Sequence, residues 1–402
     1  MICFKQLIVW YLLTGTACSS EAVLYKMVGA AQQLSAEVIE TPGDEYGDSV
    51  RVWQGIPGIE RASNGRLWAA WYSGGTGEGR DGNYVLVATS NDDGLSWSDP
   101  VVVIKGPTDQ SRIGDPLPWI DPTGKLWIFY RQVTPAEEGV VGFFGTCAIC
   151  TDSPEEADPD WTRPVFIYGG GTLFGKPLVR SDGAWVAPFF LHTTNPEIKE
   201  TCTLISTDKG EDWNYLGGTT VPAEERSYSE ATLAQRDDGT LWMVIRRVDG
   251  LSQSFSSDNG KTWTAPSFLW EGPSTRGCMR KLASGSYMLV YHDVTERISN
   301  GQYPRSRLTV WLSEDEGETW PYKLLLDEWV RVSYPDSVQA PDGRIYIVYD
   351  FDRYHFVDED QGKEVRLAII QEDDIRAGDI VSLNSRLKLT VNQALGSGNE
   401  RE

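Results

Sequence analysis

Apolar and polar positions alternate in short runs along the chain, and glycine, serine, asparagine or aspartate bounds most of them. Six times a glycine preceded by a small or polar residue opens such a run: SNGRLWAAWY, PTGKLWIFYR, SDGAWVAPFF, DDGTLWMVIR, ASGSYMLVYH and PDGRIYIVYD. Gly65, Gly124, Gly183, Gly239, Gly285 and Gly343 therefore read as hairpin turns that feed strands. A second unit, S-x-D-x-G-x-x-W, recurs four times, at residues 90–97, 206–213, 256–263 and 313–320. Long helical periodicity is absent. The spacing of the hairpins suits four short strands per unit, so the pattern predicts an all-β chain, a six-bladed β-propeller of four-stranded antiparallel blades.

The S-x-D-x-G-x-x-W unit reads as a fold staple. Its Asp can hold a tight turn through backbone amides, its Gly can take a positive φ, and its Trp can pack between blades. The chemistry is then expected at the opposite end, where the inner strands begin. Residues 23–389 are assigned to one propeller and 390–402 to a polar tail. The last blade lacks a box and an evident outer strand, and residues 23–52 are expected to supply that strand and close the ring.

Composition narrows the function. Against 58 acidic residues stand 36 Lys and Arg, a net charge of −22, which excludes a nucleic-acid partner. It leaves room for an anionic ligand held by a few local arginines. The three histidines, His192, His292 and His355, have no metal-like spacing, and the run Asp358-Glu359-Asp360 reads as a solvated face, so no metal or cofactor is expected. Cys147-Ala-Ile-Cys150 lies in an expected strand and reads as two packed thiols on opposite faces. Residues 1–20 have a signal-peptide layout, with plain export and a lipid anchor at Cys18 both open. No later run is apolar enough to span a bilayer. An exported monomer, periplasmic, extracellular or lipid-anchored, is the expectation.

Counting nine positions back from the hairpin glycines reaches the start of each inner strand: Ile56, Asp115, Glu230, Arg276 and Tyr334. Aligning Pro177 with Pro57 and Pro116 adds Lys176. Counting seven forward gives Tyr72, Arg131, Phe190, Arg246, His292 and Asp350. Most of the first ring is ionisable, where a structural core would be apolar. Acids, bases and arginines gathered at one axis suit a substrate site better than a set of mutually paired buried charges.

The boxes, with SEATLAQRDDGTLWMVIR, RSRLTVWLSEDEGETW and YPDSVQAPDGRIYIVYD, resemble the sialidase (neuraminidase) superfamily of BNR or Asp-box six-bladed propellers. The resemblance covers residues 51–370. It implies an exo-glycosidase in which a tyrosine, made nucleophilic by a glutamate, attacks an anomeric carbon. An aspartate serves as acid and base, and three arginines hold the sugar carboxylate. On this resemblance Tyr334 is the nucleophile, Glu230 its base, and Arg246 and Arg305 two of the three arginines. The acid is expected in residues 73–83, as Asp81 with Glu78 the alternative. The first arginine, which should precede Ile-Pro, is replaced in Gln54-Gly55-Ile56-Pro57. Arg276 and Lys176 are candidates for its part, and Asp115 and Arg131 for further substrate contacts.

Three functions follow as expectations. The first is a sialidase-type hydrolase acting on a terminal acidic sugar. The second is a lyase or other glycosidase for uronic-acid glycans, using His292, Tyr334 or Arg131. The third is a glycan-binding propeller without catalysis.

Overall fold

The computed structural model describes residues 35–136, 142–192, 199–353 and 363–397. The leader with Cys18, His355 and the acidic run at 358–360 lie outside them. Six antiparallel sheets follow one another along the chain. Blade one comprises Gln54–Arg61, Leu67–Gly74, Asn83–Ser90 and Val102–Lys105, and blade two Arg112–Ile120, Leu126–Thr134, Phe143–Thr151 and Val165–Gly169. Blade four comprises Arg226–Gln235, Leu241–Arg247, Gly250–Ser256 and Ser267–Glu271. Blade five is Cys278–Lys281, Tyr287–His292, Ser306–Ser313 and Tyr322–Val330, and blade six Val332–Gln339, Ile345–Phe351, Glu364–Ile370 and Arg386–Gln393. Each sheet packs on the next, and the inner strand of blade one packs on blade six, so the six form a closed propeller.

Blade three departs from the pattern. Its inner strand is split into Gly171–Leu173 and Leu178–Val179, which both pair with Trp185–His192, followed by Lys199–Ser206 and Asn214–Thr219. Pro177, with no N–H to give the ladder, stands in the gap.

All six hairpin glycines have φ between +85° and +100°, a region costly to any residue with a Cβ. The boxes have the staple geometry expected of them. In the third, Ser256 Oγ donates to Asp258 Oδ1 (2.9 Å), and the amides of Gly260 (2.8 Å) and Thr262 (2.9 Å) donate to Ser256 Oγ and Asp258 Oδ1. Bonds from Thr262 hold the Asp258 carboxyl down at about 2. Boxes also tie neighbouring blades at their hairpin ends: Asp93 accepts from Tyr346 (2.9 Å) and pairs with Arg344 (2.8 Å). Tryptophans fill the wedges between sheets, as where Trp119, Trp127, Trp185 and Trp213 meet between blades two and three. Cys147 and Cys150 are buried in different clusters on the two faces of their strand.

Closure differs from expectation. The outer strand of blade six is Arg386–Gln393, from the C-terminal end, whereas Glu37–Ile39 adds a fifth strand to blade one beside Val102–Lys105. The tail carries on past that strand, with the amides of Leu395 (2.8 Å) and Gly396 (2.9 Å) donating to Asp48 O and Arg51 O. Blade six grips blade one through carboxylates: Asp350 Oδ2 accepts from Ile56 N (3.1 Å) and Asp336 Oδ2 from Ile59 N (3.0 Å). Sequence pattern missed this because the last strand, RLKLTVNQ, faces solvent on alternate positions and carries no turn signature. Among the described residues no helix is long and apolar enough to cross a membrane.

Candidate active site

The inner strands carry a repeated irregularity. Pairing with the second strand breaks between Gly55 and Gly58, Gly114 and Leu117, Arg226 and Ala231, and Ser333 and Asp336. At these bulges Ile56, Asp115, Ser229 and Tyr334 take φ of +52°, +50°, +48° and +52°. Left-handed backbone at a non-glycine residue costs on the order of 1–3 kcal/mol and persists only where the surroundings impose it. In three cases a proline follows (Pro57, Pro116, Pro335), which loses no ladder bond at a bulge. The bulge re-aims the side chain, and in blades two, four and six that brings Asp115, Glu230 and Tyr334 to one cavity.

This cavity, about 440 Å³, is lined by Ile56, Phe174 and Tyr228 and by the charged residues Glu78, Asp115, Arg131, Glu230, Arg246, Arg305 and Arg353, with Tyr334. Its size suits a monosaccharide-sized ligand. Nη1 of Arg246 donates both to Tyr334 Oη (3.0 Å) and to Glu230 Oε2 (3.1 Å). Burial, then the charge of Glu230, raises the Tyr334 hydroxyl above the ordinary phenol range, although Arg246 and Arg305 oppose this. Burial works against the charge on Arg246, but Tyr334 and Glu230 together outweigh it, and the guanidinium stays charged. Arg305 donates to Ser274 O (2.8 Å) and lies 5.3 Å from the Tyr334 ring centre. Asp115 and Arg131 pair at 3.0 Å on the far wall. Burial raises the Asp115 carboxyl even against Arg131. Tyr228, exposed at the mouth, lies under the Arg246 guanidinium (5.1 Å).

The other expected residues are placed differently. Arg276 packs beside the Tyr334 ring (5.7 Å) but is tied to Phe174 O (2.7 Å) and does not line this cavity. Lys176 points the other way, pairing with Glu60 (3.1 Å) and Asp336 (3.4 Å) above a cavity of about 570 Å³ at the hairpin end. The strand split turns it there, so it joins the blades and is not brought to Tyr334. Asp81 is largely exposed and contacts Arg112 at 3.9 Å. Glu78, in the same loop, does reach the cavity. Asn83 fixes that loop by donating to Gly74 O (2.7 Å) and Gly77 O (3.0 Å) and accepting from Arg80 N (2.9 Å). His292 is buried behind the wall with Nδ1 against Ser306 O (2.8 Å), and burial pushes it down to about 3.

Arg353 is the residue that the repeat pattern did not reveal. It follows the second strand of blade six, outside either counted ring. Its Nη1 pairs with Glu78 Oε2 (2.6 Å), its Nε lies 3.4 Å from Asp350 Oδ2, and its guanidinium is 4.9 Å from the Tyr334 ring centre. A second cavity of about 720 Å³, with Val248, Ile298, Tyr303 and Val330 among its walls, adjoins the first and shares Arg246, Arg305 and Arg353.

Residues 65–347, most of the propeller, match the BNR repeat-like domain family. The chain belongs to this family, within the sialidase superfamily. A curated relative, a sialidase of Bacteroides fragilis (strain YCH46), is 27% identical over 209 residues, which cover 48% of this chain and 35% of that protein. The chain thus spans about a third of the length of the relative it matches. Among solved structures, the Hadza microbial sialidase Hz136 aligns with a TM-score of 0.61 at 19% identity, over 78% of this chain and 66% of that one. The intramolecular trans-sialidase from Ruminococcus gnavus aligns with a TM-score of 0.61 at 13% identity, over 86% and 99%. These two likenesses establish the fold.

Proposed function

We propose that the chain is an exo-acting glycoside hydrolase of sialidase type that releases a terminal α-linked acidic sugar from glycans. The observation that carries this reading is the single guanidinium nitrogen of Arg246 that holds Tyr334 and Glu230 together inside a cavity of sugar size. A phenol raised above its ordinary range is protonated at neutral pH and needs a base as it attacks. Tyr334 Oη forms the bond to the anomeric carbon, its proton passes to Glu230, and the bond to the aglycone oxygen breaks. Glu78, in its acid form, protonates that oxygen, and its reach into the cavity favours it over Asp81. Water then attacks the tyrosyl-linked sugar, giving its proton to Glu78, and Glu230 returns the proton to the phenol. Arg246 and Arg305 hold the sugar carboxylate, a planar anion that guanidinium groups bind in two-pronged fashion. Export past the leader at residues 1–20 is part of the proposal, since it brings the protein to extracellular glycans.

The test is mass spectrometry of products from a mixed panel of sialylated and uronic-acid glycans, with wild type and Tyr334→Phe side by side. Free sialic acid from the wild type, lost in the variant, supports the reading. Unsaturated products would make the protein a lyase, and binding without any product would make it a glycan receptor.

A further inference from the structure

We infer that Arg353, reaching across from blade six, is the third guanidinium for the substrate carboxylate, and that Gly55 is glycine to let it pass. The inference rests on the sialidase-type reading above. Gly55 stands in the opening strand immediately before Ile56-Pro57, where the sequence lacks an arginine. A Cβ on Gly55 would lie 2.0 Å from Arg353 Cδ and 2.5 Å from its Cγ. Backbone φ at Gly55 does not require glycine, because the left-handed residue of this bulge is Ile56. The room taken by the Arg353 stem is therefore the reason no side chain stands there. One arginine has been exchanged for another that approaches the same place from the neighbouring blade.

The head of Arg353 is held for this task. Asp350, itself fixed by Ser333 Oγ (2.8 Å) and Ile56 N (3.1 Å), lies against Nε at 3.4 Å. Arg353 lines the cavity that it shares with Arg246, Arg305 and Tyr334. Nη1 there holds the carboxylate of Glu78 at 2.6 Å. The site already binds one carboxylate at this point, and it belongs to the protein. A substrate carboxylate that takes Arg353 displaces Glu78, which, parted from its cation and set beside a second anion, takes up a proton from solvent and becomes the acid for the glycosidic oxygen. Binding of the correct anion and release of the acid thus become one event.

The experiment is calorimetric binding of 2,3-didehydro-2-deoxy-N-acetylneuraminic acid and of its methyl ester, which lacks the negative charge, alongside kinetics. Arg353→Ala is expected to weaken the free acid by roughly 10- to 100-fold, the range for a hydrogen bond to a charged group, and to leave the weaker ester unchanged. Its KM should rise by more than its kcat falls. Gly55→Ala, which alters no charge, should displace Arg353 and weaken the acid in the same direction. Glu78→Gln removes the internal competitor and should tighten the acid several-fold while turnover drops, and the gain should vanish in Glu78→Gln/Arg353→Ala. Thermal melting of each variant separates these effects from unfolding. If the wild type binds the acid and folded Arg353→Ala binds it equally well, the inference is overturned and the sialidase-type reading stands. If the wild type neither binds the acid nor releases sialic acid, that reading fails and takes the inference with it.

Discussion

The hydroxyl oxygen of Tyr334 lies 3.0 Å from Nη1 of Arg246, although the two residues are 88 positions apart and on different blades. Tyr334 owes its aim to a left-handed backbone at φ +52° inside a strand. Tyr334→Phe keeps the ring that packs among three guanidinium groups and removes only the oxygen. Turnover is expected to fall on the order of 10³-fold or more, as when a nucleophile is deleted. Urea unfolding should shift by no more than about 2 kcal/mol. Equal turnover in the two proteins would remove Tyr334 from the reaction.

Asp81 and Glu78 separate cleanly. Asp81 is exposed beside Arg112, whereas Glu78 lines the cavity. Glu78→Gln should lower kcat by about 10²-fold or more and abolish the alkaline limb of the pH profile, where the acid loses its proton. Asp81→Asn should change kcat only a few-fold. The reverse ranking would return the acid role to Asp81.

Lys176 pairs with both Glu60 and Asp336, and Arg280 reaches Asp336 from blade five at 2.9 Å. Removing one partner from a buried charge set strands the others, at a cost of roughly 3–5 kcal/mol. Lys176→Met is thus expected to destabilise the protein by about that much in denaturant titration while KM for the glycan stays unchanged. A raised KM at full stability would assign Lys176 to the substrate instead.

The staples can be tested through glycine. A Cβ on Gly317, at φ +84°, would lie 2.3 Å from Trp242 Cη2. Gly317→Ala should cost about 2 kcal/mol, from backbone strain with overpacking added. Gly301→Ala is the control: its φ is +80° but nothing lies within 4 Å of the added carbon. A smaller drop in melting temperature is expected there, and equal drops would show that contact with Trp242 contributes nothing.

His292 gives the fold a pH dependence. Burial pushes it down to about 3 from an ordinary 6.5, so the folded protein keeps it neutral where the unfolded chain protonates it. Stability from this group is full above about 6.5 and is lost as pH falls from there towards 3, at up to ~1.4 kcal/mol per pH unit. His292→Asn retains a donor for Ser306 O, and its unfolding free energy should show a flatter slope between pH 6 and 4. Parallel slopes for variant and wild type would mean that His292 titrates normally.

Much of the site was legible because each blade repeats a local pattern. The position nine before a hairpin glycine found Asp115, Glu230 and Tyr334, since a bulge at a fixed distance from a turn has a fixed direction. The same count placed Arg276 with them and the alignment of Pro177 with Pro57 and Pro116 added Lys176, yet Lys176 faces the hairpin end and Arg276 is spent on a carbonyl. Their blades lack the bulge: blade three breaks its inner strand at Pro177, and the inner strand of blade five, Cys278–Lys281, begins after Arg276.

Sequence alone determined what short-range chemistry controls: the hairpins, where only glycine takes φ near +90° cheaply, the boxes, whose Ser, Asp and Gly bond within five residues, and the number of blades. Tertiary structure decided what depends on closure of the ring. Arg353 meets Gly55 across almost 300 residues, and the last blade is completed from the C-terminal end. No periodicity links such positions, because their contact is set by how the final blade packs on the first.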